Sequence, residues 1–353
     1  MSDSRILPSP YTDPLRFDGA AKKRASRPLI LLRRLGKRLL THVLPLMLTI
    51  IIGTFFLIHA APGSFVEVMS SEMQLSDQAM IDHLNVTYGL DQPLYVQLWK
   101  YLVAVAHLDF GFSYRQNIPV TEAILNHLPA TLILMLSGLA VAVLAGVLSG
   151  IAAAANRNSW IDRLLSMAGI LLFAAPVFWV GIMLVVVFSV KLDWLPIGGM
   201  TTIGADDGFF GSLLDLGTHL LMPALALGLH QSAIYMRVTR NAMIEASQAD
   251  YVRTAFAKGL SISVVTLRHI FRNALLPVVT VLGLQFATVL SGSVVIEAVF
   301  AWPGLGSLLY DSVVARDYPV VLGIIIFSSL LVIVVNLVVD LVYAWLDPRI
   351  VLE

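Results

Sequence analysis

Long apolar stretches alternate with shorter polar ones along the chain, and this alternation governs the reading of every other feature. A bilayer core of ~30 Å is crossed by about 20 apolar residues in a helix. Stretches of that order occupy 39–61, 131–155, 164–190, 275–300 and 319–346. A shorter one at 220–236 contains Pro223, His230 and Gln231, whose polar atoms suit burial against other helices better than contact with lipid. The third stretch is interrupted by Pro176, which a membrane helix accommodates where neighbours satisfy the freed backbone groups. The pattern predicts an all-α polytopic membrane protein with six transmembrane helices. Between the first two spans, 62–130 forms a long external segment. Within it Leu94, Tyr95, Leu98, Trp99, Tyr101 and Leu102 recur at helical spacing and predict a helix lying on the membrane or on the protein.

Charge sets the orientation. Eight basic residues between Lys22 and Arg38 precede the first span, and Arg157 and Arg163 lie between the second and third. Arg237, Arg240, Arg253, Lys258, Arg268 and Arg272 lie between the fourth and fifth. The alternate connections hold only Lys100 and Arg115, then Lys191, then Arg316. Every second loop is basic, which predicts both termini to be cytoplasmic. Residues 1–28, with Pro8, Pro10 and Pro14, read as a flexible cytoplasmic tail ahead of a membrane domain at 29–350. The first apolar run is of span length and follows a long basic region, so it reads as a span rather than a cleaved signal.

Composition narrows the function. With 58% hydrophobic and 13% charged residues, the chain lacks the polar surface of a soluble protein of 353 residues. It has no cysteine, which excludes disulfides, thiolate metal sites and cysteine nucleophiles. No phosphate-binding G-x-x-x-x-G-K-[ST] loop occurs, and the eight histidines show no paired metal spacing. The chain therefore reads as carrying no catalytic residue, no metal site and no cofactor of its own. Membrane lipid is an expected partner and nucleic acid is not.

The cytoplasmic connection at 237–274 is where function is expected. Good helix formers run to Lys258, Gly259 breaks the pattern as a helix C-terminal glycine does, and Ser261 and Ser263 suit the start of a second helix. The basic, amphipathic character also suits a helix lying among anionic headgroups. The small residues Thr254, Ala255, Ala257 and Gly259 suit close approach to another protein.

The sequence DYVRTAFAKGL at 250–260, followed by HIFRNALLP at 269–277, resembles the cytoplasmic loop of ABC-transporter permeases of the oligopeptide/dipeptide and nickel importer branch. Phe256 stands where that branch usually has a basic residue. Further matches follow in order: GLDQP at 89–93, DFGFS at 109–113 with Pro119 and Val120, and Arg157, Asp162 and Arg163. They continue with SGSVVIEAVFAWPGLG at 291–306, RDYP at 316–319, Asn336, Asp340 and DPR at 347–349.

The resemblance implies a type I ABC importer permease fold in the bacterial inner membrane. It implies a second homologous permease subunit, two ATPase subunits that bind ATP and Mg, and an external substrate-binding protein. Under it, Asp250, Tyr251, Arg253, Thr254, Ala255, Ala257, Lys258, Gly259 and Leu260 form the ATPase-coupling element. Arg253 and Lys258 would orient it by charge, while Ala255, Ala257 and Gly259 permit close approach. Gln285 is the mid-membrane candidate for the translocation path. Glu297 lies nearer the outer edge, and the turn through Trp302, Gly304 and Gly306 is placed near an outer gate. Peptides are the expected cargo, with nickel and other solutes handled by similar permeases. An ATP-independent secondary transporter or channel is the competing reading; it would more often show internal repeats or several mid-span ionisable residues.

Overall fold

A computed structural model describes residues 41, 43–60, 92–113, 115–202, 204 and 208–346. The tail at 1–28, the GLD of GLDQP and the DPR at 347–349 lie outside them. The packing that follows is that of the described residues from Met47 onward.

Helix α1 is Leu44–Ala60 and α2 is Leu94–Ala106. Strands β1, Phe112–Ser113, and β2, Ile118–Pro119, form an antiparallel hairpin. Helix α3, Val120–Ala155, leads to α4, Trp160–Ala174, and α5, Val177–Leu184, which continues as a π-helical turn at Val185–Lys191. Helix α6 is Gly208–Ser247, and α7 is Asp250–Ala257. The short α8, Ile262–Val264, runs through π-helical Val265–Phe271 into α9, Arg272–Val299. Helices α10, Leu305–Val314, and α11, Tyr318–Leu346, complete the order. Among the described residues four helices are long and apolar enough to cross a membrane, and the α4–α5 pair adds a fifth if it counts as one span.

Helices α3 and α6 meet along a seam of small residues. A Cβ on Gly138 would lie 2.8 Å from Leu227, on Gly146 2.5 Å from Tyr235, and on Gly150 2.7 Å from Thr239. The absence of side chains there lets the two backbones close together, as membrane helices do where apolar solvent supplies no drive for association. The partner positions advance in step with the glycines, so α3 and α6 run parallel. The α4–α5 pair is the apolar segment that links them.

That segment is broken. The sequence predicted one stretch over 164–190 interrupted by Pro176, and the axes of its two halves meet at a bend of 103°. Ala175 has an extended backbone, ψ 134°, because the ring of a following proline crowds the helical conformation of the residue before it. Two other helices exceed the spans expected of them. Helix α3 begins at Val120, eleven residues before the apolar run, and α6 extends beyond 220–236 at both ends. The first part of the predicted loop, 237–247, is thus the continuation of α6.

Three apolar clusters fill the interior. One joins α3, α6 and α9 and includes Leu134, Met135, Leu227, Tyr235, Ile296 and Trp302. A second gathers Ile51, Val105, Phe110 and Ile124 with Leu305, Leu308 and Ile324. The third, small, lies at the opposite end of α3 and α6 and fastens α7.

Candidate functional site

Helix α7 has eight residues, separated from α6 by a break at Gln248 and Ala249. Val252 and Ala255, three apart and so on one face, are buried with Met243, Val265, Ile270 and Ala274. Tyr251, Arg253, Thr254, Phe256, Ala257, Lys258, Gly259 and Leu260 are exposed. Ala255 was expected to permit close approach of a partner. It instead faces its own chain, because it shares the inward face with Val252. Asp250 is exposed, and its 3.9 Å contact with Arg253 joins two side chains in water, an arrangement that contributes little to stability.

The end of α7 is closed by a glycine cap. Gly259 has φ +76°, its N–H donates to the Phe256 carbonyl at 2.9 Å, and the Leu260 N–H donates to that of Ala255 at 3.4 Å. These are the two bonds of a Schellman motif. No atom lies within 4 Å of where a Cβ would stand on Gly259, so its backbone conformation, and not crowding, calls for glycine there. Ser261 starts α8 through its extended backbone and makes no side-chain capping bond.

The short turn between α3 and α4 is tied to α6. Arg240 Nε donates to Asp162 Oδ1 at 2.7 Å and Nη2 to Oδ2 at 2.8 Å. The Asn158 N–H donates to Asp162 Oδ2, and Ser159 accepts from the Asp162 N–H as the cap of α4. A cleft of about 400 Å³ beside this pair is lined by Arg157, Asn158, Arg240, Asn241, Ile244, Glu245 and Gln248.

Four of the residues singled out near the opposite ends of the helices come together. Glu297 and Trp302 are both 0% exposed. Glu297 Oε2 accepts from the N–H of Gly306 at 2.6 Å and of Ser307 at 3.1 Å. Thr131 Oγ1 accepts from the Leu305 N–H at 2.7 Å and donates to Glu297 Oε1 at 2.9 Å. The first three amides of α10, which have no partner within their own helix, are thus all satisfied from α3 and α9. The carboxyl oxygens there also face the positive end of the helix dipole. Trp302 Nε1 donates to the Ala130 carbonyl at 2.8 Å. A Cβ on Gly304 would stand 2.4 Å from the Glu297 carboxylate, and one on Gly306 2.5 Å from the Val294 backbone.

Gln285 lies apart from this cluster, twelve residues and so roughly 18 Å along α9 from Glu297. It is half-buried and accepts from the Thr288 hydroxyl. Asn336 is exposed on α11.

Sequence reasoning missed Thr131 and two long-range contacts between quoted motifs. Ser113 of DFGFS donates through Oγ to Asp317 of RDYP at 2.5 Å, both residues being buried. The Asp162–Arg240 pair joins the short turn to α6. Both join residues already marked as motif or loop members, but nothing in their spacing pairs Ser113 with Asp317 or Asp162 with Arg240.

Residues 142–352 match the family model for the binding-protein-dependent transport system inner membrane component, and 31–135 match the N-terminal model of such membrane components. The chain is 41% identical over 314 residues to the glutathione transport system permease protein GsiC of Salmonella typhimurium strain LT2. It is 40% identical over the same length to GsiC of Escherichia coli strain K12. Both alignments cover 89% of this chain and 97% of the relative. A chain from the inward-facing MetNI methionine ABC transporter superposes with a TM-score of 0.49 at 14% identity, covering 64% of this chain and 96% of that one.

Proposed function

The chain belongs to the binding-protein-dependent transport system inner membrane components, and from that membership we propose that it supplies half of a path opening alternately to the two sides of the membrane. It is the permease component of a binding-protein-dependent ABC importer, a multi-pass inner-membrane subunit and not itself an enzyme. The proposal gives it six spans with both termini cytoplasmic, a homologous but different permease as partner, two ATPase subunits and an external binding protein. ATP and Mg are held by the ATPase subunits.

One observation carries the reading. Helix α7 is anchored by Val252 and Ala255 while Tyr251, Arg253, Thr254, Phe256 and Lys258 face outward. A short helix fixed on one face and free on the other suits insertion into a groove of an ATPase subunit. Closure of the ATPase pair then shifts the helices through differential contact in two states. Gly259 and Leu260 hold the end of that helix in shape. The buried support formed by Glu297, Trp302, Gly304 and Gly306 shapes the turn placed near the outer gate, and Gln285 is retained as the mid-membrane path residue. Small peptides are the proposed cargo, with the tripeptide glutathione the first candidate because it names the transport system of the relatives.

The test is purification of the tagged chain in mild detergent with identification of the proteins that accompany it, followed by uptake in proteoliposomes. Recovery of a second permease and ATPase subunits, with uptake that requires ATP, is the expected result. A chain that emerges alone and transports without ATP overturns the proposal.

A further inference from the structure

A break in an apolar span leaves a backbone carbonyl without a partner unless the fold supplies one. In a continuous helix the amide of residue 176 would donate to the carbonyl of Leu172. Pro176 has no amide hydrogen to give. His230 of α6 takes its place: its Nδ1 lies 3.2 Å from the Leu172 carbonyl oxygen. A carbonyl only accepts, so Nδ1 carries the hydrogen and donates it. The imidazole also stacks on Phe173, with ring centroids 5.5 Å apart and planes inclined by 12°.

The two arms of the break are held by different parts of the molecule. Helix α4 is fastened to the end of α6 nearest the coupling element, through Asp162 and Arg240 and through Gly169, whose missing Cβ would meet Met236 at 3.2 Å. Helix α5 is fastened to the far end of α9. A Cβ on Gly181 would meet Phe300 at 3.1 Å, and the Gly199 N–H beyond α5 donates to the Phe300 carbonyl at 2.8 Å. Phe300 directly precedes the turn that carries Trp302 and Gly304. The break is thus a joint between an arm at the coupling end and an arm at the outer turn.

We propose that His230 is the pin of this joint, a positioning residue that supplies the hydrogen bond Pro176 withholds and fixes the angle between α4 and α5. Movement entering at α4 then reaches the outer turn instead of being absorbed at the break. The transport consequence rests on the permease reading; the joint itself does not.

The chain has no cysteine, so a Met167→Cys, Val190→Cys pair places one spin label on each exposed arm. Pulsed-EPR distances are recorded on the full-length chain in lipid nanodiscs with the subunits that copurify, alongside transport. One narrow distance is expected with His230 present. His230→Phe keeps a flat ring on Phe173 but cannot donate. It broadens or shifts the distance and slows transport about tenfold, while ATPase association is unchanged. His230→Asn, whose side-chain amide donates from nearly the same place, restores the narrow distance. An unchanged distance in the His230→Phe variant overturns the proposal, whether or not transport falls. Where His230→Phe alone does not insert, the Pro176→Ala, His230→Phe double variant decides. The restored amide makes the histidine dispensable and gives a single narrow distance, and a broad one overturns the proposal. Absence of ATPase subunits from the unsubstituted preparation counts against the importer reading and leaves the distance result standing.

Discussion

Thr131 and Glu297, 166 residues apart, share a hydrogen bond of 2.9 Å and between them satisfy the first three amides of α10. A helix start is usually capped by its own preceding residue; Gly304 has no side chain to do so, and the cap comes from two other helices. Glu297→Ala leaves buried donors on Gly306 and Thr131, and a half-buried one on Ser307, without an acceptor. The expected loss is about 3 kcal/mol, because an unsatisfied buried donor costs its full desolvation. Glu297→Gln keeps a carbonyl oxygen in place and loses less. Thermal unfolding of the purified protein reads the difference; equal midpoints for the Ala variant and the native chain would refute the cap.

The bidentate pair of Arg240 and Asp162 makes a second claim. Asp162→Ala leaves a guanidinium only 25% exposed and the Asn158 amide without their acceptor. A destabilisation of about 2 kcal/mol is expected, part of the cost being relieved by the water that still reaches Arg240. Asp162→Ala in an Arg240→Gln background should cost much less, since no charge is then stranded. Additive effects in that double-variant cycle would show that the two side chains do not act as a pair.

How far each of these was legible in the sequence follows from the range of the forces involved. Apolar runs revealed most of the long helices because an apolar run is a local property of the chain. Helix α6 was read as only 220–236 because His219, Gln231 and Thr239 depress its hydropathy while being buried in protein, a fact no local window contains. Gly259 was legible because a left-handed helix end is a local constraint. The inward turn of Ala255 was not, since only the position of Val265 and Ile270 decides which face of α7 is buried. Glu297, Trp302, Gly304 and Gly306 were marked as a motif, yet Thr131, which completes their arrangement, lies on another helix in an unremarkable stretch. Pro176 announced a freed carbonyl and His230 an unexplained polar group in a span, but nothing in the sequence joined them.

Gly259 separates folding from coupling. An Ala there must adopt φ +76°, which costs about 1–2 kcal/mol, but it meets no atom within 4 Å. Gly259→Arg carries the same backbone penalty, and its side chain extends into open space. Both variants should therefore insert normally and show similar thermal midpoints. Transport assays should part them: Gly259→Ala retains substantial uptake, and Gly259→Arg abolishes it by obstructing the ATPase groove. Normal uptake by the Arg variant would show that this face of α7 meets no partner.

The seam between α3 and α6 tests the parallel pairing of these two helices. Gly146→Ala places a methyl 2.5 Å from Tyr235 Cβ and 2.6 Å from the Ser232 carbonyl oxygen, neither of which is the tip of a flexible side chain. The helices must part to admit it, at an expected cost of about 2 kcal/mol or more, because an overpacked interior yields only through backbone shifts. Leu148, two positions along the same helix, is 64% exposed, and Leu148→Ala should leave the unfolding midpoint nearly unchanged. Gly53 offers a second control, since an added Cβ meets nothing within 4 Å and α1 lies outside the seam. If Gly146→Ala proves as mild as Gly53→Ala, α3 and α6 do not pack along these glycines. The parallel arrangement of α3 and α6 would then have to be abandoned.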